Sequence, residues 1–375
     1  MKRMLATAAA ALFAMMLFGL AGTYGASYYY SSQHGAGCGS CHEMADYVAA
    51  VHASPHRNAT CIDCHQASVA TKLRHIKVHL SGKLPEAIRL RDVDVVGMTV
   101  DCQKCHRAEY AKWRAGPHSA TYREIFTNTT HNSRRRMMDD CFRCHGMHFD
   151  GSIRDLVQPQ DSHGPWRIVR SGLADQPTMP CQSCHWVHRE GAIQRKQDVS
   201  STKGWSPVHD SLAFFDRRER LHFAASTLVI PSMYDGARKV RMNSDQLQAL
   251  CYQCHAPREP EVASTEAENH WGVQVGSGDD RTPVGVHEGL SCNACHNGHN
   301  EDARASCTSC HPEMSHCGIA VEKMDTTYAN RASKHNIHWV KCLDCHQHGV
   351  PQIKKRQPGG AGTGQTVAAA SKTPH

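Results

Sequence analysis

What the sequence lacks narrows its function before any motif is considered. There is no glycine-rich phosphate loop and no Gly-x-Ser-x-Gly nucleophile turn, so nothing indicates nucleotide binding or acyl transfer. Aromatic residues make up only 6% of the 375 residues, and hydrophobic residues 40%. So few large apolar side chains predict that another apolar group fills much of the core.

Cysteine and histidine, by contrast, are abundant and follow one repeated pattern. Of the 19 cysteines, 18 belong to nine copies of Cys-x-x-Cys-His. The copies are Cys38/Cys41/His42, Cys61/Cys64/His65, Cys102/Cys105/His106, Cys141/Cys144/His145, Cys181/Cys184/His185, Cys251/Cys254/His255, Cys292/Cys295/His296, Cys307/Cys310/His311 and Cys342/Cys345/His346. This is the attachment signature of c-type haem, in which both thiols form thioethers and the histidine is the proximal iron ligand.

A single copy would also fit half a zinc site, a redox dithiol or one side of a disulfide. Nine copies, each followed at once by histidine, predict nine covalent haem c groups and a function in electron transfer. Cys317 lies outside every motif, and we expect a buried free thiol there rather than a haem ligand or redox site.

The histidines outside the motifs are candidates for the distal ligand of each iron. The chain has 29 histidines, and two neutral imidazoles per iron would give low-spin, six-coordinate centres suited to electron transfer. Three motifs continue as Cys-His-x-x-His, where the second histidine is too close to reach across its own haem and should bind a neighbour. The distal candidates are His52, His56, His75, His79, His118, His131, His148, His188, His270, His287, His299, His316, His335, His338 and His348.

The first motif differs from the rest because it reads GCGSCHEM, with Met44 two residues after His42. A thioether in this position either binds the first iron and raises its potential, or packs against the porphyrin edge.

The formal charge of +7 does not indicate nucleic-acid binding. Each ferric haem adds about −1 through its propionates, so nine would bring the total to roughly −2. We expect the run from Arg134 to Arg136 to be solvated or to pair with propionates, which suit a bidentate guanidinium.

The N-terminus predicts a membrane anchor. Lys2 and Arg3 precede an apolar stretch of about residues 5–25, which meets the roughly 20 residues needed to span a bilayer. The basic end predicts an N-inside orientation, with the body on the periplasmic side of the cytoplasmic membrane. The alternative is a cleaved signal peptide.

The spacing of the motifs predicts how the chain is organised. We expect a mainly α fold with extensive loops, little β-structure and a haem-packed core, behind an N-terminal transmembrane helix. The expected units are an anchor (1–26), a front module with haems one to five (27–200), a haem-poor helical connector (201–250), a rear module with haems six to nine (251–357) and a disordered tail (358–375). Within the connector, residues 210–225 have helical periodicity.

Residues 1–115 resemble the NapC/NirT/NrfH family of membrane-anchored multihaem quinol dehydrogenases. The resemblance is carried by the anchor, by CxxCH-x-Met after it, by HASPHRNATCIDCH and by KLRHIKVHLSGKLPEAIRLR. It implies that the first haem faces the membrane and takes electrons from menaquinol or ubiquinol. It also implies a quinol site near that haem, with Met44, Asp46, Lys72 and Lys77 as candidates. The family usually carries four or five haems, fewer than predicted here.

Three functions remain open on the sequence. The favoured one is an anchored quinol dehydrogenase and conduit that supplies a periplasmic redox protein or terminal reductase, alone, as an oligomer or within a larger respiratory complex. The second is a terminal reductase of a small nitrogen or sulfur oxyanion, which needs one open iron position; no CxxCK motif supports it. The third is an electron-transfer subunit without a quinol site.

Overall fold

The computed structural model describes residues 2–31, 37–65, 74, 77–82, 90–134, 136–189, 210–255, 281–299, 303–307, 310, 337–338, 340–341 and 348. Its first element is the helix Lys2–Ser31, whose span Ala6–Ala26 is 21 residues of apolar sequence with none of it buried. At 1.5 Å per residue this span is about 31 Å long, which matches the hydrocarbon core of a bilayer. By length and composition it fits either a membrane anchor or a signal sequence.

The described part of the chain is mostly helical, in short pieces, with little strand. The other α-helices are Ala45–His52, Cys61–Cys64, Asp92–Cys102, Arg107–Ala115, Tyr122–Phe126, Thr129–Asn132, Ile153–Leu156, Gln248–Cys251, Cys292–Cys295 and Arg304–Cys307. Single 3₁₀ turns are Cys38–Ser40, His42–Met44, Pro117–Ser119, Asp139–Arg143, Ser171–Leu173, Cys181–Ser183, Ala225–Thr227 and Gly285–His287. Helix with extensive loops is what the sequence predicted.

One cluster of buried hydrophobic side chains lies around the fourth motif. Its members are Tyr122, Phe126, Met137, Phe142, Phe149, Ile153, Leu156, Val157 and Leu173. Two capping boxes begin the helices that supply part of it, Thr121 with Glu124 and Ser152 with Asp155. Gly146 has a φ of +96°, and a Cβ there would meet the Tyr122 ring at 2.7 Å. Only glycine allows the chain to leave this motif so close to the core.

The expected helix over residues 210–225 is wrong. The structure has an antiparallel hairpin there, Ala213–Asp216 paired with Leu221–Ala224, with Phe214 opposite Phe223. The aromatic residues favour strand, and the first strand is buried along most of its length. Asp216 closes the turn by accepting hydrogen bonds from the amides of Arg218 and Glu219.

Two further antiparallel pairs are short. Val157–Gln158 pairs with Arg167–Ile168, and Tyr234–Asp235 pairs with Arg238–Lys239. The helix Gln248–Cys251 leads into the sixth motif, and Asp245 before it accepts a hydrogen bond from the amide of Leu247. The strands therefore form three separate two-stranded sheets, and no larger sheet is present among the described residues.

Candidate haem-binding site

Six of the motifs share one backbone turn. In the second to seventh motifs the histidine amide donates to the carbonyl of the first cysteine, over 2.8–3.0 Å. Cysteine, cysteine and histidine then stand at positions i, i+3 and i+4 of a helical turn and lie on one face. Local sequence supports this turn: Thr60 and Asp63 form a capping box on the second motif, and Ser291 caps the seventh.

The first motif has a different turn. Cys41 is extended, with φ −91° and ψ 125°, and separates the 3₁₀ turns Cys38–Ser40 and His42–Met44. The side chain of His42 is 80% exposed. This site therefore presents its histidine to solvent.

Three attachment cysteines differ from the haem-packed core that the sequence predicted. Cys105 of the third motif, Cys184 of the fifth and Cys310 of the eighth are exposed, whereas the other described motif cysteines are half-buried. Each is the second cysteine of its motif, and its amide donates to the carbonyl of the first cysteine over 3.2–3.3 Å. The protein chain alone does not enclose these three attachment points, and a bound porphyrin would have to cover them.

Each of six motif histidines faces a histidine from outside the motifs. The ring centroids are 5.9 Å apart for His42–His79, 6.0 Å for His56–His106, 5.9 Å for His65–His188, 6.4 Å for His118–His255, 5.9 Å for His185–His299 and 6.0 Å for His296–His338. In every pair one member belongs to a motif and the other is a distal candidate from the sequence. The partners come from distant parts of the chain, so sequence spacing does not assign them.

The spacing of these pairs matches one metal between two imidazoles. A metal–imidazole bond is about 2.1 Å, and the ring adds roughly 1 Å from nitrogen to centroid, so two ligands place their centroids about 6 Å apart. The pairs His185–His299 and His296–His338 have nearly parallel rings, at 7° and 11°.

His145, the predicted proximal ligand of the fourth motif, is half-buried, and its amide donates to the carbonyl of Cys141 over 3.0 Å. The chain then turns sharply at Gly146, where φ is +96°, and the residues after it enter the core. The fourth motif therefore has the same backbone turn as its neighbours.

Desolvation favours the neutral form of several paired imidazoles, and this is the form that binds iron. Desolvation lowers the pKa of His185 and of His188 to about 4, with the neighbouring imidazoles adding to the effect. Desolvation also lowers the pKa of His65, His118 and His296. These groups are therefore ready to act as ligands at neutral pH.

His148, from the Cys-His-x-x-His extension of the fourth motif, tests whether the chain fits a bound metal group. It is 8% exposed, its Nε2 has no hydrogen-bond partner, and its ring stacks on Phe215 at 4.0 Å between centroids. Desolvation lowers its pKa to about 3. A buried ring nitrogen with no partner is costly unless a metal takes it, so this residue fits a haem-binding chain.

The candidate quinol residues lie near the first motif. Met44 is half-buried at the N-cap of the helix Ala45–His52, in which Asp46 is exposed. Lys77 is exposed and helical, two residues before His79. Lys72 lies outside the described residues.

Some of the remaining candidates lie within the described residues, and the others lie outside them. His52, His131 and His348 are exposed, and His287 Nδ1 lies 3.3 Å from the carbonyl oxygen of Ile337. The candidates outside the described residues are His75, His270, His311, His316, Cys317, His335, Cys342, Cys345 and His346.

Sequence reasoning missed Glu43. Its Oε1 lies 3.0 Å from His79 Nδ1 and 3.2 Å from His42 Nε2, so it joins the two rings of the first pair. The Glu43 carboxylate accepts a hydrogen bond from its own backbone amide, and this bond lowers its pKa most. The neighbouring His42 and His79 lower the pKa further. One signal could have found it, because Glu43 is the sole formal charge between Met4 and Met44.

Comparison with known proteins supports haem binding by the Cys-x-x-Cys-His motifs. Residues 101–162, which hold the third and fourth motifs, match the model of the family "Cytochrome c554 and c-prime". The match supports a c-type cytochrome with covalently bound haem. Electron transfer is the function that this class of protein implies. No curated protein and no solved structure matches the chain.

Proposed function

We propose that this protein is a membrane-anchored cytochrome with nine haem c groups that oxidises membrane quinol at its first motif. It passes the electrons to a redox protein or terminal reductase outside the cytoplasm. The observation that carries the proposal is the set of six histidine pairs, each joining a motif histidine to a distal candidate. Two protein ligands per iron favour electron transfer over a reductase, which needs an open position.

The helix Lys2–Ser31 supports the placement of the first motif near the membrane. Seven residue steps separate Ser31 from Cys38, and a chain extends at most about 25 Å over that length. The histidine of this motif is also open to solvent, at 80% exposure. With the helix in a bilayer, a quinol headgroup reaches this motif more readily than the buried fourth motif.

The residues in and around the first motif would each have a separate role at this site. Haem, when bound, supplies one-electron chemistry between ferric and ferrous iron. Cys38 and Cys41 would hold the haem by thioethers, and His42 and His79 would bind its iron. Oxidation of one quinol to quinone releases two electrons and two protons, and exposed Asp46 accepts a proton on the outer side. Exposed Lys77 orients the quinol oxygen.

The decisive measurement is stopped-flow reduction of the oxidised, full-length protein in detergent by a menaquinol analogue, followed in the haem α-band. We expect fast reduction in the wild type and slower reduction in Met44→Leu and Lys77→Ala. Lys112→Ala is the matched control, because Lys112 is exposed on the helix Arg107–Ala115, far along the chain from the first motif. All four proteins should be reduced equally by dithionite.

A wild type that dithionite reduces but quinol does not would reject the quinol role and leave the cytochrome. The haem count is checked on the same sample by pyridine haemochrome. Nine per chain is expected from the motifs, and six or fewer would reject that number.

A further inference from the structure

Attachment thiols of different motifs lie in contact, and the sixth motif has two such contacts. The Cys251 side chain lies beside that of Cys292 in the seventh motif, and the Cys254 side chain lies beside that of Cys144 in the fourth. Each of these sulfurs is the attachment point of a haem edge. Two sulfurs in contact therefore bring two haem edges together.

The fifth motif is the third neighbour of the sixth. Cys184 lies within electrostatic range of both Cys251 and Cys254. In the other direction, the turn Cys181–Ser183 of the fifth motif packs against the helix Asp92–Cys102, which ends at the first cysteine of the third motif. The fifth motif thus links the third to the sixth, without the fourth between them.

Hydrogen bonds hold the sixth and seventh motifs in register. Asp245, which is 2% exposed and precedes the sixth motif, accepts from Ser291 Oγ and, over 2.9 Å, from Asn293 Nδ2. Asn243 donates to the carbonyl of Gly289 over 2.8 Å. A buried carboxylate with two donors on the seventh motif fixes the distance between the two attachment turns.

The histidine pairs place the same motifs together. His118, the partner of His255 in the sixth motif, lies with its Nδ1 3.4 Å from the carbonyl of Gly298, just after the seventh motif. His299, the residue after Gly298, faces His185 of the fifth motif. The fifth, sixth and seventh motifs therefore share residues from one short segment.

From these contacts we infer that the sixth motif is a three-way junction of the haem array, with the fourth, fifth and seventh motifs as its neighbours, and that the fifth motif follows the third. This inference rests on the proposed haem content. An electron exchanged between neighbouring haems oxidises one iron from ferrous to ferric and reduces the other from ferric to ferrous, so no further reactant is needed. The order of electron transfer then differs from the order of the motifs in the sequence.

The junction is tested by locating the haems in the full-length holoprotein in detergent, without any substitution. Crystallographic anomalous scattering at the iron edge gives the iron positions, and the density around each thioether assigns every haem to its motif. We expect the haem of the sixth motif to have its closest edge-to-edge approaches to those of the fourth, fifth and seventh. The haem of the third should approach that of the fifth more closely than that of the fourth.

Two outcomes would overturn the junction in different ways. Haems that follow one another in motif order, with the fourth between the third and the fifth, would reject it while leaving the cytochrome and its quinol chemistry intact. Motifs that carry no haem would reject both the junction and the proposed function.

Discussion

The first and fourth motifs are opposite extremes of burial. Between residues 37 and 65 no hydrophobic side chain is buried, and His42 is 80% exposed. At the fourth motif, Phe142 is fully buried inside the attachment turn, and Met147 and Phe149 follow it at 2% exposure. The same five-residue signature therefore serves in two environments.

This difference in burial predicts different reduction potentials for haems that are bound by the same motif. Burial disfavours the charged form of a group, and the ferric iron carries one more positive charge than the ferrous. A haem in the buried fourth site should therefore have a higher potential than one in the exposed first site, other ligands being equal. Electrons that arrive at the first motif would then move towards the buried motifs.

The largest expected effect is that of withholding haem. Side chains form the apolar cluster around the fourth motif, whereas no hydrophobic side chain is buried between residues 37 and 65, so that region should depend most on the porphyrin for apolar contacts. Protein made without haem attachment should lose helix signal in far-UV circular dichroism, and residues 37–65 should be cleaved first by protease. Native-like helix content in the apoprotein would contradict this dependence.

The next effect separates the two regions by substitution. Phe142→Ala should destabilise the holoprotein by about 3–5 kcal/mol, because it leaves a cavity among buried aromatic rings. Val48→Ala, near the first motif, should cost about 1 kcal/mol or less, since Val48 is half-buried and packs on Gly39. Denaturant midpoints followed by circular dichroism compare the two, and equal shifts would remove the contrast.

A smaller effect comes from removing one distal histidine. His188→Ala and His79→Ala should each convert one low-spin haem to a high-spin one, seen by electron paramagnetic resonance. The buried His188 site should also lose stability, whereas solvent can replace His79, whose side chain is 46% exposed. His52→Ala is the control, as this histidine is exposed at the end of the helix Ala45–His52. An unchanged low-spin signal in His188→Ala would refute the pairing of His188 with His65.

The smallest effect is expected at Glu43. Glu43→Gln removes a negative charge that lies beside both histidines of the first pair, so the ferric state loses support and the potential of the first haem should rise. Asp175→Asn is the control, because this exposed carboxylate pairs with Arg123. Spectroelectrochemical titration measures both, and equal shifts would show that Glu43 has no special role.

The attachment residues and the class of distal ligand are predictions from local spacing and from the histidine surplus. The sequence could not assign His188 to His65 or His118 to His255, since these pairs form only when segments far apart in the chain meet. It also mistook a hairpin for a helix. Residues 210–225 have helical periodicity, but pairing between the strands on either side of residues 217–220 decides the structure.

Burial of the individual attachment residues was equally beyond the sequence. The nine motifs read alike, yet Cys105 and Cys310 are exposed while the corresponding Cys144 is half-buried beside the aromatic core. The exposure of each cysteine depends on which distant segments pack over it, and spacing within a motif does not reveal those segments.

The pairing of distant histidines has a consequence for how the chain matures. If His118 and His255 bind one iron, that bond joins residues more than 100 positions apart, so the folding of the front and rear halves is coupled. His118 emerges early in synthesis and must wait for His255, and His185 must likewise wait for His299. Folding of the front half would therefore be completed only after the rear half has been exported and loaded with haem, and a chain that ended before His299 would leave the iron at His185 without its distal ligand.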